Sequence, residues 1–138
     1  HLEKLLPLLA LIKASSEDLG FLYPGTTTEE VARRWKAMGA GTIVITDGPH
    51  GALALNEHGI TRAPIAAVAP VDTVGAGDSF MSALLAALGD RDLLNRRKLA
   101  ASPVDALADT LAYANRAAGI TCTRRGANPP TLAEIAAA

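Results

Sequence analysis

The segment Thr42–Thr46, with the sequence TIVIT, constrains the fold more than any other part of the chain. All five of its residues are β-branched, which favours a β-strand. Such an unbroken run is typical of a strand covered on both faces, as in mostly parallel sheets flanked by helices. The segment therefore predicts a layered structure with a sheet at its centre.

Other segments alternate between strand and helix patterns around this strand. Further strands are predicted at the end of residues 8–14, where a helix runs into a short buried strand, at 52–55 and 60–63 as a hairpin, and in a strand-like run after Pro64. Helices are predicted from the capping cluster 26–30 through Met38, from about Asp78 to Leu88, from Val104 to about Thr121, and at the C-terminus. This alternation predicts an α/β sandwich, and 138 residues suit a single domain over 1–138.

The charge balance and the single cysteine limit the class of protein. Lys and Arg number 13 against 14 for Asp and Glu, and no basic stripe is interleaved with aromatic residues, so no nucleic-acid partner is expected. Cys122 has no second cysteine for a disulfide, and no apolar run reaches about 20 residues, the length of a membrane span. We expect no membrane partner and a cytoplasmic location. His1 in place of an initiator Met suggests a chain that begins inside a longer protein.

The most informative segment for chemistry is Gly75-Ala76-Gly77-Asp78, directly before a predicted helix. Small residues let the backbone approach a ligand, and the first N–H groups of a helix favour an anion. No Lys follows the glycines as in a Walker A loop, and Phe80 stands where a dinucleotide fingerprint has its third glycine. The segment therefore predicts an anion site of neither common type.

Asp78 admits two interpretations. An acid that faces a bound phosphate is unfavourable unless it is needed, so it could be a general base that deprotonates an attacking hydroxyl during phosphoryl transfer. It could equally be a helix cap, a position that Asp often occupies. These four residues alone leave the two interpretations open.

The stretch from Asp72 to Phe80, DTVGAGDSF, continues into Ser82-Ala83-Leu84 and resembles the second signature of the PfkB carbohydrate kinases. The resemblance implies that Asp78 is the catalytic base and contacts the sugar hydroxyl. It implies an anion hole lined by Gly75, Ala76 and Gly77. The family's monovalent-cation loop is matched by five positions, although Pro130 stands where the family often has a hydroxyl ligand: Asp72, Val74, Thr121, Arg124 and Gly126.

The pattern Thr46-x-Gly48-x-x-Gly51 follows the buried strand. Glycines there allow a tight turn and close approach to phosphates, but a hairpin turn explains the pattern as well. In the resemblance it matches the family's nucleotide loop. Pro49 lacks an N–H, so nucleotide binding would depend on the remaining donors.

Lys13-x-Ser15-x-x-Asp18 resembles the family's Asn-x-x-Glu or, in fructokinase-like members, Ser-x-x-Glu motif. The resemblance implies that Ser15 and Asp18 help to place Mg²⁺ and the nucleotide phosphates, although Asp18 is shorter than the usual Glu. A solvated helix cap is the alternative. Asn115 lies on the apolar stripe of its helix, where a buried amide needs partners. It either contacts the backbone or, as the family implies, lines an adenine pocket.

Together these matches imply the C-terminal part of a ribokinase-like three-layer α/β/α sandwich with a mostly parallel sheet. They imply a fructokinase-like carbohydrate kinase that uses ATP, Mg²⁺ and, as an open possibility, K⁺. Its partners would be a sugar, ATP and a missing N-terminal half, with a homodimer also left open. The alternatives are a non-catalytic nucleotide-binding module or fragment, or a nucleoside or 2-keto-3-deoxygluconate kinase of the same family.

Overall fold

The computed structural model describes residues 1–66 and 68–138, in which helices cover both faces of one sheet. The strands are β1 (Leu11–Ser15), β2 (Thr42–Thr46), β3 (Ala52–Asn56) and β4 (Gly59–Ala63). The helices are α1 (Leu2–Leu5), α2 (Ser16–Leu22), α3 (Thr28–Ala37), α4 (Ala76–Asp90), α5 (Arg96–Ala100), α6 (Val104–Cys122) and α7 (Leu132–Ala137). Short 3₁₀ turns occupy Leu6–Leu8 and Gly48–His50.

The four strands lie in the order β1-β2-β3-β4. Only β1 and β2 are parallel, while β2 with β3 and β3 with β4 are antiparallel. The predicted α/β class is confirmed, but the expectation of a mostly parallel sheet is wrong for this part of the fold. The reason is connection length: α2 and α3 form a crossover between β1 and β2, whereas the later strands are joined by short turns, which permit only antiparallel pairing.

The alternating side chains of β2 divide the core into two clusters. Ile43 and Ile45 pack with Val31 and Trp35 of α3 on one face of the sheet. Val44 faces the other side and belongs to a cluster with residues of α4 and α6, among them Phe80 and Leu111. Helices therefore cover both faces of the sheet, and the three-layer arrangement is confirmed.

Three helices begin with a capping box, in which a hydroxyl and an acid three residues later each bind the other's backbone N–H. The caps are Ser15 with Asp18, Thr27 with Glu30, and Thr131 with Glu134. The predicted helix after residue 26 is thus confirmed as α3. The predicted helices from Asp78, from Val104 and at the C-terminus correspond to α4, α6 and α7.

The structure differs from the sequence-based expectation along the segment after β4. Residues 64–66 and 68–70 form no strand, and Ala67 of the predicted run lies outside the described residues. Pro64 and Pro70 lack N–H donors for a ladder. Instead, Ile65 and Val68 lie close to Gly119 of α6, within 3.8 to 3.9 Å of where a Cβ would stand. Packing on a helix replaces strand pairing.

Two further elements also differ from expectation. Strand β1 is half-buried along its whole length rather than buried, because it is an edge strand of the sheet described. The charged connection predicted between residues 91 and 103 contains α5, whose N-cap Asn95 accepts hydrogen bonds from the N–H groups of Arg97 and Lys98. Among the described residues, none of the helices combines the length and the hydropathy needed to cross a bilayer.

Candidate active site

Helix α4 begins at a glycine-rich turn with unpaired N–H groups. Gly75 is the N-cap residue, and Ala76, Gly77 and Asp78 form the first turn. The N–H of Ala76 donates to the carbonyl of Thr73 at 3.2 Å, whereas those of Gly77 and Asp78 have no partner among the described residues. Because the positive end of the helix dipole lies here, the turn offers two donors to an anion.

Gly75 is required by both its conformation and its surroundings. Its φ is 80°, in the left-handed region that side chains disfavour. A Cβ at this position would lie 2.8 Å from the Cβ of Ala127 and 2.9 Å from its Cα. The close approach therefore brings the loop before α7 against the start of α4.

Asp78 is exposed, and its carboxylate has no hydrogen bond to the described residues. It occupies the third helical position, where the acid of a capping box accepts from the backbone N–H of the N-cap residue. No such hydrogen bond joins Asp78 to the N-cap residue Gly75. The capping interpretation of Asp78 consequently has no hydrogen bond to support it, and the carboxylate is free for another role.

Lys13 of β1 reaches the same turn from the sheet. Side chains alternate along a strand, and Leu11, two residues away, packs with the α4 and α6 cluster. The Lys13 Nζ lies 3.4 Å from where a Cβ of Gly77 would stand. Lys13 belongs to the sequence motif that contains Ser15 and Asp18, but the sequence analysis predicted no function for it.

Ser15 and Asp18 form the capping box of α2. The Ser15 hydroxyl donates to Asp18 Oδ2 at 2.7 Å, and the Asp18 N–H donates to Ser15 Oγ at 3.1 Å. These bonds from Ser15 hold the pKa of Asp18 below its usual value, and the charge of Lys13 acts in the same direction. The capping alternative is therefore what the geometry displays, while a role in placing Mg²⁺ stays a prediction.

The Thr46–Gly51 pattern forms the turn between antiparallel β2 and β3. Within it, the N–H groups of Asp47, His50 and Gly51 donate to carbonyls of the same turn at 2.8 to 3.2 Å. A Cβ on Gly51 would lie 2.2 Å from the carbonyl oxygen of Ala63, so glycine is required there by packing. Most of the donors expected for a nucleotide are thus used internally, and nucleotide binding by Thr46, Gly48 and Gly51 stays a prediction.

Asn115 is buried, and its amide contacts the backbone. Nδ2 donates to the carbonyl of Ala63 at 2.8 Å and to that of Pro64 at 3.3 Å. These bonds attach the irregular segment after β4 to α6. The amide donors therefore serve the fold, and the adenine-pocket role stays a prediction.

Asp72 joins the two loops that the resemblance assigned to a monovalent cation. Its Oδ1 accepts from the N–H of Val74 at 3.0 Å, and its Oδ2 accepts from the N–H of Gly126 at 2.9 Å. The bond from Val74, followed by that from Gly126, holds the pKa of Asp72 below its usual value. The carboxylate is therefore charged at neutral pH and fixes the spacing of the loops.

The remaining predicted cation ligands lie in the second of these loops. The Thr121 hydroxyl lies within hydrogen-bond distance of Ser79 Oγ and of the Ala117 carbonyl oxygen. The Thr121 carbonyl accepts a hydrogen bond from the N–H of Arg124 at 3.0 Å. The Arg124 side chain forms an ion pair with Glu134 of α7 at 2.5 Å. These contacts order the loop, and cation binding there stays a prediction.

Several of the predicted site residues lie at one end of the sheet. Ser15 and Thr46 are register partners at the ends of parallel β1 and β2, and the carboxyl ends of parallel strands are the usual place for a site. Lys13 connects this edge to Gly77. Asn115 is connected to it indirectly, because its partner carbonyl at Ala63 abuts Gly51 of the turn.

The larger cleft lies elsewhere. A cleft of about 850 Å³ is lined by Lys36, the Gly39–Gly41 turn, Glu57 and the start of α5, near where β2 begins. A smaller one of about 240 Å³ borders the turn through Asp47 and His50. Asp78 lines neither of these two clefts.

The layered α/β fold is similar to that of solved ribokinase and fructokinase structures, and the chain is therefore a ribokinase-like α/β protein. The family described as "pfkB family carbohydrate kinase" matches residues 1–134. The chain therefore belongs to the PfkB carbohydrate kinase family, as the resemblance of residues 72–84 implied.

Individual relatives agree with this assignment. A fructokinase of Rhizobium leguminosarum bv. trifolii is 36% identical over 97 residues, 70% of this chain and 30% of that protein. The "Probable fructokinase-5" of Arabidopsis thaliana is 33% identical over 128 residues, 90% of this chain and 37% of that protein. A fructokinase structure from Vibrio cholerae O395, in its fructose, ADP and calcium ion bound form, has a TM-score of 0.78 at 28% identity.

The matches share one further property. The Vibrio comparison covers 97% of this chain but 42% of the other, and the curated relatives are covered by 30 to 37%. The chain thus spans well under half of the proteins it resembles, and the described residues are similar to one portion of the ribokinase fold.

Proposed function

We propose that this chain is the catalytic portion of an ATP-dependent kinase that phosphorylates a sugar hydroxyl, with fructose as the first candidate. The observation that carries the proposal is the uncapped, exposed Asp78 at the start of α4, beside the unpaired N–H groups of Gly77 and its own backbone. Family membership and the fructokinase relatives support the choice of substrate class.

In the proposed mechanism Asp78 is the general base. Its carboxylate takes the proton of the sugar hydroxyl while that oxygen forms a bond to the γ-phosphorus of ATP and the bond from this phosphorus to the bridging oxygen breaks. ADP leaves with the electron pair of the broken bond. The N–H donors in the hole lined by Gly75, Ala76 and Gly77 stabilise the charge on the transferring phosphoryl oxygens.

The nucleotide would lie along the edge formed by Thr46, Gly48 and Gly51, with Asn115 behind it. The donor set fits Mg²⁺, which commonly takes one or two carboxylates plus substrate phosphates. Asp18 accepts from Ser15 through Oδ2, so its Oδ1 is available to the ion. When bound, the ion neutralises phosphate charge. Ser15 and Asp18 would hold it near the end of β1.

A monovalent cation such as K⁺ would fit between the loops of Asp72–Val74 and Thr121–Gly126. The Asp72 carboxylate already joins these loops, and such a cation would be held by oxygens of Asp72, Val74, Thr121, Arg124 and Gly126. Its contribution would be charge compensation beside the anion hole. The position of Gly75 against Ala127 would couple that loop to the hole.

The remainder of the active site would come from an N-terminal half of the same protein. The relatives are more than twice as long as the matched portion, and β1 has a free edge among the described strands. That half would supply most of the sugar contacts. We further propose a cytoplasmic protein, which could act as a monomer or a homodimer.

The test is Asp78→Asn in the full-length protein, assayed by coupled ADP release with a panel of sugars, nucleosides and 2-keto-3-deoxygluconate. Loss of a general base should lower turnover by about 10² to 10⁴, with ATP affinity by calorimetry nearly unchanged. Asp90→Asn, an exposed acid at the other end of α4, is the control.

Unchanged turnover in Asp78→Asn would refute the assignment of the base. ATP binding by the wild-type protein without turnover of any substrate would favour the non-catalytic module. That alternative has one observation in its favour, since the turn at Thr46–Gly51 uses the N–H donors of Asp47, His50 and Gly51 internally. Turnover of a nucleoside or of 2-keto-3-deoxygluconate would identify another kinase of the family.

A further inference from the structure

The Lys13 ammonium lies at the positive end of α4 and is not held in a close ion pair. Its Nζ stands 3.4 Å from where a Cβ of Gly77 would be, so the absence of a side chain at Gly77 makes room for it. No hydrogen bond or ion pair joins the Lys13 ammonium to any of the described residues. The side chain is half-buried on the face of β1 that packs against α4.

Such a placement is electrostatically unfavourable by itself. The N-terminus of a fifteen-residue helix carries about half a positive charge, and an ammonium against it adds a like charge. The charge of Lys13 does act on Asp18, but that carboxylate is bound by Ser15 and forms no close ion pair with Lys13. Asp78 has no hydrogen-bond partner among the described residues. An anion between the ammonium and the free N–H groups would relieve the repulsion.

We infer that Lys13 is a further catalytic residue, whose ammonium donates a hydrogen bond to an oxygen of the transferring phosphoryl group. The inference rests on the proposed function. Lys13 would approach from the sheet, opposite the N–H donors of Gly77 and Asp78, so that the phosphoryl group lies between them. Lys13 keeps all its protons during the reaction: the hydroxyl proton goes to Asp78, and the electron pair of the broken bond goes to ADP.

A Lys13 that contacts the phosphoryl group and a Lys13 that only changes the pKa of Asp78 have different kinetic consequences. A contact that strengthens as phosphoryl charge develops lowers the transition state more than the bound substrates. Its loss should therefore reduce kcat with little change in the KM for the sugar. An ion pair with Asp78 would act instead on the pKa of that carboxyl.

The test compares Lys13→Met with wild type in the full-length protein, with Lys4→Met as the control for loss of a lysine on exposed α1. Removal of one such donor should lower kcat by about 10² to 10³. Affinity for ADP with aluminium fluoride and fructose, which imitates the transferring phosphoryl group, should fall by a similar factor, whereas affinity for ADP alone should not. If Lys13→Met does not fold, Lys13→Gln carries the same test.

Two results would overturn the inference. One is a kcat within about threefold of the Lys4→Met control, a change too small for a transition-state contact. The other is an acid limb of the kcat/KM profile that moves to higher pH while the plateau kcat stays, since that would make Lys13 a positioning residue for Asp78. Asp78→Asn measured in parallel separates the two proposals: retained turnover there refutes the kinase assignment, while its loss beside an active Lys13→Met refutes only Lys13.

Discussion

Replacing Gly75 by Ala adds one methyl group at the point where the anion hole meets the loop before α7. The methyl would lie 2.8 Å from the Cβ of Ala127 and 2.9 Å from its Cα, well inside van der Waals contact. The residue would also keep a φ of 80°. Both effects oppose the folded state, so the substitution should lower the free energy of unfolding.

Gly25 provides a matched control, because it shares the left-handed backbone of Gly75 but lacks the close contact. Its φ is 78°, and no atom lies within 4 Å of where its Cβ would stand. Ala at either position is destabilised to the same extent, about 1 to 2 kcal/mol, by the left-handed backbone. At both positions it also lowers the entropy of the unfolded chain equally, which favours the folded state. Overpacking against Ala127 adds about 1 to 3 kcal/mol at Gly75 alone, so the difference between the two variants isolates the contact.

The assay is urea unfolding of both variants in the full-length protein, with midpoints compared at unchanged slope. We expect Gly75→Ala to be less stable than Gly25→Ala by the overpacking term. Adding Ala127→Gly should recover only part of the loss, because the Cα of residue 127 still lies 2.9 Å away. Equal midpoints for Gly75→Ala and Gly25→Ala would refute the close approach.

Two further substitutions test the contacts that connect the loops. Asn115→Ala removes the buried side-chain donor to the carbonyls of Ala63 and Pro64, so we expect a loss of about 1 to 3 kcal/mol in urea unfolding; a change below about 0.5 kcal/mol, the level of a surface substitution, would contradict this contact. Asp72→Asn keeps one acceptor oxygen but not the charge. Because the folded state lowers the pKa of Asp72 from 3.8, its stabilisation is present above that pH and disappears as the pH falls through the lower folded value. Unfolding midpoints of wild type and Asp72→Asn should thus converge as the pH falls through the lowered folded pKa of Asp72, and a gap that is independent of pH would count against the carboxylate's role.

Local patterns predicted most of the regular elements. The β-branched run at Thr42–Thr46 is β2, and the two-residue turn after Asn56 closes the hairpin of β3 and β4. Hydroxyl residues followed by acids predicted the start of α3. These signals act over a few residues, so sequence alone carries them. The prediction of a strand after Pro64 was wrong, because the conformation of this segment depends on contacts with Gly119 and Asn115, about fifty residues away.

The candidate site was located from the sequence, but its internal contacts were not. The motif around Asp78 predicted an anion-binding turn, and two interpretations of Asp78 remained open. The absence of a hydrogen bond from the Asp78 carboxylate to the described residues counts against the capping alternative. At Ser15 and Asp18 the outcome was the reverse, since the capping box is formed.

The glycine-rich turn at Gly75–Asp78 was determined by the sequence itself, because glycine readily adopts the left-handed backbone found at Gly75. Tertiary structure alone decided what surrounds that turn. Lys13 reaches Gly77 only because β1 packs beside α4, and Asp72 reaches Gly126 across 54 positions of the chain. Contacts between residues so far apart depend on packing of the whole fold, which no local pattern encodes.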